Sequence, residues 1–241
     1  MRFWFLINCD NKAGKGRKMF WQNVPIHVLD FEGSVQTGIV EYGFATLLGG
    51  KVISAHTRLC GVSKPIPFEE SGVHGIFDED VKGLPPVDAD WDLFSGLRRS
   101  GLFGSHHAPA EIGMISEVWR VPGKVPDFSL KNCPPVNDWG PWVDTCRIAK
   151  TWFPRERSHK LSDLIARFDI RERVVATADK FCPNTRRRYH CALYDAIAAA
   201  ELLINMCEHP SFQNTGILDL IEAGMSAKKF RNRIQGELDL F

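Results

Sequence analysis

The sequence predicts an α/β fold: a mixed sheet of about five strands, the first three antiparallel, flanked by helices. Three observations carry this. Residues 26–60 hold three β-rich runs separated by turn signals. Short strand-like runs then alternate with segments of helical spacing. Finally, residues 189–208 are apolar most of the way round a helix, which must therefore be buried.

In chain order, residues 1–23 look like an extension, a short apolar stretch followed by Lys12, Lys15, Arg17 and Lys18 among glycines. Residues 26–31 predict a buried strand. Residues 38–48 predict a second, Gly49-Gly50 a two-residue hairpin turn, and residues 51–60 a third strand. Residues 61–90 are rich in Pro, Gly and acidic residues and predict a loop with one short helix. Trp91, Phe94 and Leu97 give helical spacing over 91–99. A short strand is expected over 102–106 and a helix from Glu111 onward. Residues 121–141 contain five prolines and predict a long loop, a feature that is often functional in a compact domain. Trp142-Val143-Asp144 is a last short strand. Helices follow near 145–153 and 161–168, then the strongest at 189–208 and one or two terminal amphipathic helices over 216–235.

Composition narrows the class. The chain has 241 residues, 44% hydrophobic and 24% charged, which excludes wholesale disorder. A net charge of +1 excludes a bulk polycation, so any nucleic-acid binding must come from local charge. The early apolar run at residues 3–7 is too short for a signal-peptide core or a membrane span. Seven cysteines, none in a C-x-x-C pair, argue against a disulfide framework or zinc knuckle and for a reducing, cytoplasmic setting. Cys182, His190 and Cys191 are close in sequence but too few to make a zinc site.

Asp30-Phe31-Glu32 is the first chemical signal. Residues two apart in a strand share a face, so Ile26, Val28, Asp30 and Glu32 form one stripe ending in two carboxylates. Carboxylates that continue a core face are costly unless neutralised, and a hard divalent cation is the simplest partner. The alternative is a strand-end pair facing water. On the helix 189–208, Asp195 falls in line with Ala199, Leu202 and Met206, a buried carboxylate in need of a counter-charge. That counter-charge is either a metal or an arginine. His190, five residues earlier, would not share its face and is placed on a loop at the helix start, led by Arg186-Arg187-Arg188. A histidine there suits a general base. Ser105-His106-His107-Ala108-Pro109-Ala110-Glu111 follows a short strand and opens a helix, where the dipole alone would favour Glu111.

Taken in order, these residues resemble the DnaQ-like 3′–5′ exonucleases of the DEDDh type, whose fold is ribonuclease H-like. The D-x-E motif falls on Asp30 and Glu32. The middle motif falls on His106 to Glu111, and H-x-x-x-x-D falls on His190 and Asp195. Val73-His74-Gly75-Ile76 resembles the family's H-G-I segment, and Asp144-Thr145, Pro154 and His159-Lys160-Leu161 the stretch before its final helix. The likeness covers residues 24 to about 208. Residues 1–23 would then be an N-terminal extension and 209–241 a C-terminal helical one.

The resemblance implies a two-metal phosphodiester hydrolase releasing nucleoside 5′-monophosphates from the 3′ ends of DNA or RNA. Asp30, Glu32, Glu111 and Asp195 would hold two Mg²⁺ (or Mn²⁺), and His190 would take a proton from the attacking water. Gly33, Ser34, His74, Gly75, Ile76, His106, His107 and Arg186 to Arg188 would line the substrate, with Ile76 against the terminal base. Two positions depart from the family. Glu111 stands where the family has Asp, roughly 1.5 Å longer in reach. Gly33 replaces a small hydroxyl residue. Those departures leave a second reading open, a nearly inactive 3′-end-binding module or a subunit recruited by a larger machine. A homodimer is compatible with either reading, and a membrane partner is not expected. Trp139 and Trp142 either stack on bases or pack internally, and the Lys228, Lys229, Arg231, Arg233 cluster either contacts phosphate or is a solvated face.

Overall fold

The computed structural model of the protein describes residues 19–130 and 132–226. Its centre is a five-stranded sheet. Strand β1 (Ile26–Ser34) pairs antiparallel with β2 (Gly38–Leu48), which pairs antiparallel with β3 (Lys51–Leu59). Gly49 and Gly50 join β2 to β3 with φ of 63° and 74°. Two successive left-handed residues make the tight hairpin whose twist matches the strands, and glycine adopts them without steric cost.

Helices α1 (Phe68–His74) and α2 (Asp78–Val81) and a 3-10 turn at Val87–Asp90 follow. The sequence predicted one short helix there. Both helices are less than three turns long and bury only a few residues each, too little to imprint a period. Helix α3 (Trp91–Ser100) leads to β4 (Leu102–Ser105), and α4 (Ala108–Val118) starts three residues before the expected Glu111. The Pro-rich stretch is loop apart from a two-residue ladder, β5 (Val125–Pro126) with β6 (Pro135–Val136). Strand β7 (Trp142–Asp144) runs into α5 (Thr145–Trp152), followed by α6 (Leu161–Arg167).

Helix α7 (Arg171–Phe181) escaped the sequence reading. Only Val174 and Ala178 are buried, one turn apart, so the apolar stripe is two residues long. Helix α8 (Ala192–Glu208) begins three residues later than expected, leaving His190 outside it, and α9 (Ile217–Gly224) covers the described part of the expected terminal helix. The remainder of that expectation, with residues 1–18 and the 228–233 basic cluster, lies outside the described residues.

The sheet order is β3-β2-β1-β4-β7, with β4 parallel to β1 and β7 parallel to β4. Strand alternation divides the core in two. Ile26, Val28, Ala45 and Leu47 face α8, whose Leu193, Ile197, Leu202, Ile204 and Met206 are buried against them. Leu29, Phe31, Tyr42 and Phe44 face Phe94 of α3, Ile115 of α4 and the tryptophans Trp119, Trp139 and Trp142. Trp139 and Trp142 are therefore core residues and not a stacking surface. Each fully buried Leu or Ile on α8 contributes about 1.5–3 kcal/mol. Trp21, Ile217, Leu220 and Ile221 belong to the α8 core, and Phe20 bridges to Gly216. No helix among the described residues is long and apolar enough to cross a membrane, and the six described cysteines are free thiols.

One contact sets how closely α8 approaches the sheet. A Cβ on Gly43 would lie 2.2 Å from the Leu193 backbone nitrogen and 2.4 Å from its Cα. The first turn of α8 thus rests backbone-on-backbone on β2. Gly43 is also the ladder partner of Asp30, so the space that a side chain would fill beside that carboxylate is taken by the first turn of α8.

Candidate active site

Three elements deliver carboxylates to one end of the sheet. Asp30 and Glu32 continue the α8-facing side of β1. Asp195 sits in the first turn of α8, and Glu111 in the first turn of α4. Ligand atoms of Glu32, His190 and Asp195 lie within 4.8 Å of one another. Asp30 and Glu111 are electrostatic neighbours of this group: burial raises the Asp30 carboxyl well above its usual range, followed in effect by the charges of Glu111, Asp195, Glu32 and Glu41.

The other carboxyls shift the same way. Glu32 is pushed up to about 8 by burial, then by Asp195 and Glu41, against the pull of Arg186 and Arg188. Glu111 rises to about 8 through burial and Glu32, and a backbone hydrogen bond from Phe31 acts in the opposite direction. Asp195 rises to about 7 through burial, although its Oδ2 accepts the His190 backbone N–H at 2.8 Å. Glu111 is only 5% exposed. A helix-dipole contact of about 0.3–1 kcal/mol would not offset burying its charge, which costs several kcal/mol. The cluster must hold protons or a cation.

The donor set fits a divalent cation. Glu111 Oε2 and Asp195 Oδ1 are buried without a hydrogen-bond partner. A set of hard carboxylate oxygens flanked by one imidazole is the chemistry that Mg²⁺-like and Mn²⁺-like ions take.

Local geometry explains each placement. Asp144, at the end of β7, is 5% exposed. It accepts the backbone N–H groups of His107 and Ala108 at 3.2 Å each and caps α5 through the Arg147 N–H at 3.0 Å. It thereby fixes the start of α4, and so Glu111. His107 and His190 both have left-handed backbones, with φ of 82° and 60°. The left-handed turn at His190 lets its N–H fold back onto Asp195. Gly33 has a φ of 111° at a β-bulge, and a Cβ there would meet the Gly38 carbonyl oxygen at 2.2 Å. Only glycine fits, which accounts physically for the absence of a hydroxyl residue. Ser34 Oγ instead serves the same turn, accepting the Thr37 N–H at 3.0 Å.

The residues expected to line the substrate are placed as follows. His106 uses both ring nitrogens internally, on Thr145 Oγ1 and the His159 carbonyl at 2.9 Å each. Ile76 is 1% exposed and packs with Val40, Ile66 and Val81. His74 is buried too, with Nδ1 accepting the Ile76 N–H at 3.1 Å. Gly75 ends α1 with a φ of 70°, and His107 is exposed at the start of α4. The three consecutive arginines separate. Arg186 pairs with Glu41, and Arg187 pairs with Asp179 and the Cys182 carbonyl. Arg188 is exposed and forms no ion pair among the described residues. It lies beside Gly75, with its guanidinium near Glu32.

Sequence reasoning missed two residues, Glu41 and Gly43. Glu41 is 2% exposed and stands opposite Glu32 in the ladder. The only signal was an acidic residue inside an otherwise apolar strand.

No family model matches the chain. It is 29% identical over 191 residues to the DNA polymerase III subunit epsilon of Escherichia coli, covering 74% of this chain and 70% of that one. It is 22% identical to the PolC-type DNA polymerase III of Halalkalibacterium halodurans over 83% of this chain, and spans only 12% of that protein's length. The structure of Exonuclease X in complex with 5′-overhanging duplex DNA superposes with a TM-score of 0.55 at 20% identity, covering 81% of this chain and 99% of that one.

Proposed function

We propose that the chain is a DnaQ-like, metal-dependent 3′–5′ exonuclease of ribonuclease H-like fold acting on nucleic-acid 3′ ends, a reading supported by its likeness to the epsilon subunit and by the sheet order. The observation that supports the reading is the gathering of Glu32, Asp195 and the exposed His190 within 4.8 Å, with the buried Asp30 and Glu111 as electrostatic neighbours and two carboxylate oxygens left unpartnered. A structural role alone gives no reason to gather like charges in this way.

Asp30, Glu32, Asp195 and Glu111 would hold the two ions, Mg²⁺ or Mn²⁺. When bound, these ions stabilise charge on the scissile phosphate and on the attacking and leaving oxygens. The protein's own groups do the rest. His190 is exposed at the cleft, its ring within reach of Glu32 and Asp195, and its Nδ1 or Nε2 accepts the proton of the attacking water. The bond between its backbone and Asp195 sets where that ring stands. Arg188 supplies positive charge beside the carboxylates and contacts a substrate phosphate. The backbones of Gly33 and Gly75 allow close approach of the terminal nucleotide. The catalytic unit is residues 24–208, the likeness's own span.

The test is digestion of 5′-labelled DNA and RNA strands with Mg²⁺ or Mn²⁺, with and without EDTA. A ladder shortening from the 3′ end, abolished by EDTA, supports the reading. Retention of the strand in a gel without shortening favours the binding module instead, with Glu111 in place of Asp as its cause.

A further inference from the structure

We propose that Glu41 is a positioning residue for this reaction: with Arg186 it ties the segment carrying His190 and the first turn of α8 to β2, and so presents His190 and Asp195 to Asp30 and Glu32. The inference rests on the exonuclease reading and adds to it a residue outside the motifs named above.

Glu41 side-chain exposure is 3% and that of Arg186 16%, so the pair is largely withdrawn from water. The two residues are 145 apart in sequence. Arg186 Nε donates to Glu41 Oε1 at 3.2 Å and its Nη2 to Glu41 Oε2, a two-pronged grip. The third prong, Nη1, donates to the His74 carbonyl at 2.9 Å. Glu41 Oε2 also accepts the Ala192 N–H at 3.0 Å, the first residue of α8. One carboxylate therefore holds both ends of the 186–192 segment, and one guanidinium adds the end of α1.

Two readings compete with this one. Glu41 could be a fifth metal ligand, because it faces the same side of the sheet as Glu32. Both of its oxygens are already taken by Arg186 and Ala192, and it is not among the clustered ligand atoms. It could also be a brace for stability. Buried ion pairs are poor at that, since apolar pairs of similar volume often stabilise as well or better. What a fork-shaped pair supplies and an apolar pair does not is a fixed register. Here the register is that of His190.

The test compares Glu41→Ala, Glu41→Gln and Arg186→Lys in the Mg²⁺-loaded chain, with Arg167→Ala, whose exposed side chain pairs with Glu156 elsewhere, as control. Misplacing a catalytic group by about 1 Å costs about 100-fold, so Glu41→Ala is expected to lower kcat about 100-fold with KM within about twofold. Glu41→Gln keeps an acceptor for the Ala192 N–H and should recover part of the loss. Arg186→Lys cannot grip both Glu41 oxygens and His74 at once and should fall between. Hydrogen exchange at the His190 and Ala192 amides should quicken at least about tenfold in Glu41→Ala while the β1–β2 amides keep their protection. Parent-like kcat in all three variants overturns the proposal, as does a loss of activity that tracks the unfolded fraction with exchange raised throughout the sheet. If Glu41→Ala fails to fold, Glu41→Gln and Arg186→Lys carry the same comparison. If the parent itself digests no strand, the exonuclease reading falls, and unchanged exchange at His190 and Ala192 would separately overturn the positioning role.

Discussion

The backbone N–H of His190 donates to Asp195 Oδ2 at 2.8 Å. One residue of the pair is exposed and the other sits in the first turn of a buried helix. Asp195 thus has two tasks, orienting the histidine with one oxygen and offering the other, which has no partner, to the cleft. Asp195→Asn separates them. The amide oxygen can still receive the His190 N–H, while the charge is gone. Turnover should fall at least about 100-fold, about 3 kcal/mol of transition-state stabilisation. The metal-free Tm at pH 8 should stay level or rise, because a buried charge has been removed. A parallel loss of Tm and rate would mean that Asp195 is structural.

The raised carboxyls predict how metal-free stability depends on pH. A carboxyl with a folded pKa above its unfolded value is protonated in both states below about pH 4.5. As pH rises, the unfolded chain ionises first, and folding is progressively penalised until the folded group ionises as well. For Glu32 and Glu111 at about 8 and Asp195 at about 7, the loss runs from about pH 4.5 to about pH 8. In EDTA, Tm should fall across that window. Saturating Mg²⁺ or Mn²⁺ should flatten the slope and raise Tm most at pH 8. A slope identical with and without the ions would count against carboxylate ligation.

Glu111 separates ligand from helix-start carboxylate by magnitude. Glu111→Gln keeps the shape and should remove most turnover in a folded protein, whereas loss of a dipole contact would cost about 0.3–1 kcal/mol of stability and no rate. Glu111→Asp restores the family's residue and should retain substantial activity, with a changed preference between Mg²⁺ and Mn²⁺. The readout is initial rate on one labelled strand under each ion.

Gly43→Ala is expected to be among the most damaging single-methyl additions, since its Cβ would meet the Leu193 backbone at 2.2 Å. Backbone cannot rotate away as a side chain can, so α8 must lift. The carboxylates it aligns would part, and both Tm and kcat should drop. Normal rates in Gly43→Ala would show that the helix can shift without disturbing the site.

The divided arginines predict divided phenotypes. Arg188→Ala should raise KM and reduce the salt dependence of strand binding by about one unit of slope. Arg187→Ala should do neither, because that side chain is already engaged by Asp179. Equal effects on KM from both would refute the division.

Much of the fold was legible because its signals are local. The second strand was read to its observed ends, and the hairpin glycines identify themselves by a requirement for left-handed backbone. Helix α7 was not legible, as its core contact is only Val174 and Ala178. In the site, Asp30, Glu32 and Asp195 stood out because each interrupts an apolar stripe. Glu41 interrupts one as well, yet its partner Arg186 lies too far along the chain for spacing to pair them. For the same reason three adjacent arginines looked equivalent. Their different partners belong to three different parts of the fold.

The sheet order also has a consequence for biogenesis. Strands β1 to β3 are joined by short turns and can zip together from local contacts, as soon as they leave a ribosome. Asp195 reaches Asp30 only when α8 docks across β2 and β1, closing a loop that includes most of the described chain. A nascent chain ending before residue 192 would carry Asp30, Glu32 and Glu111 and still have no complete site. A hydrolase assembled in this order would stay inert toward nearby nucleic acid until α8 had been made.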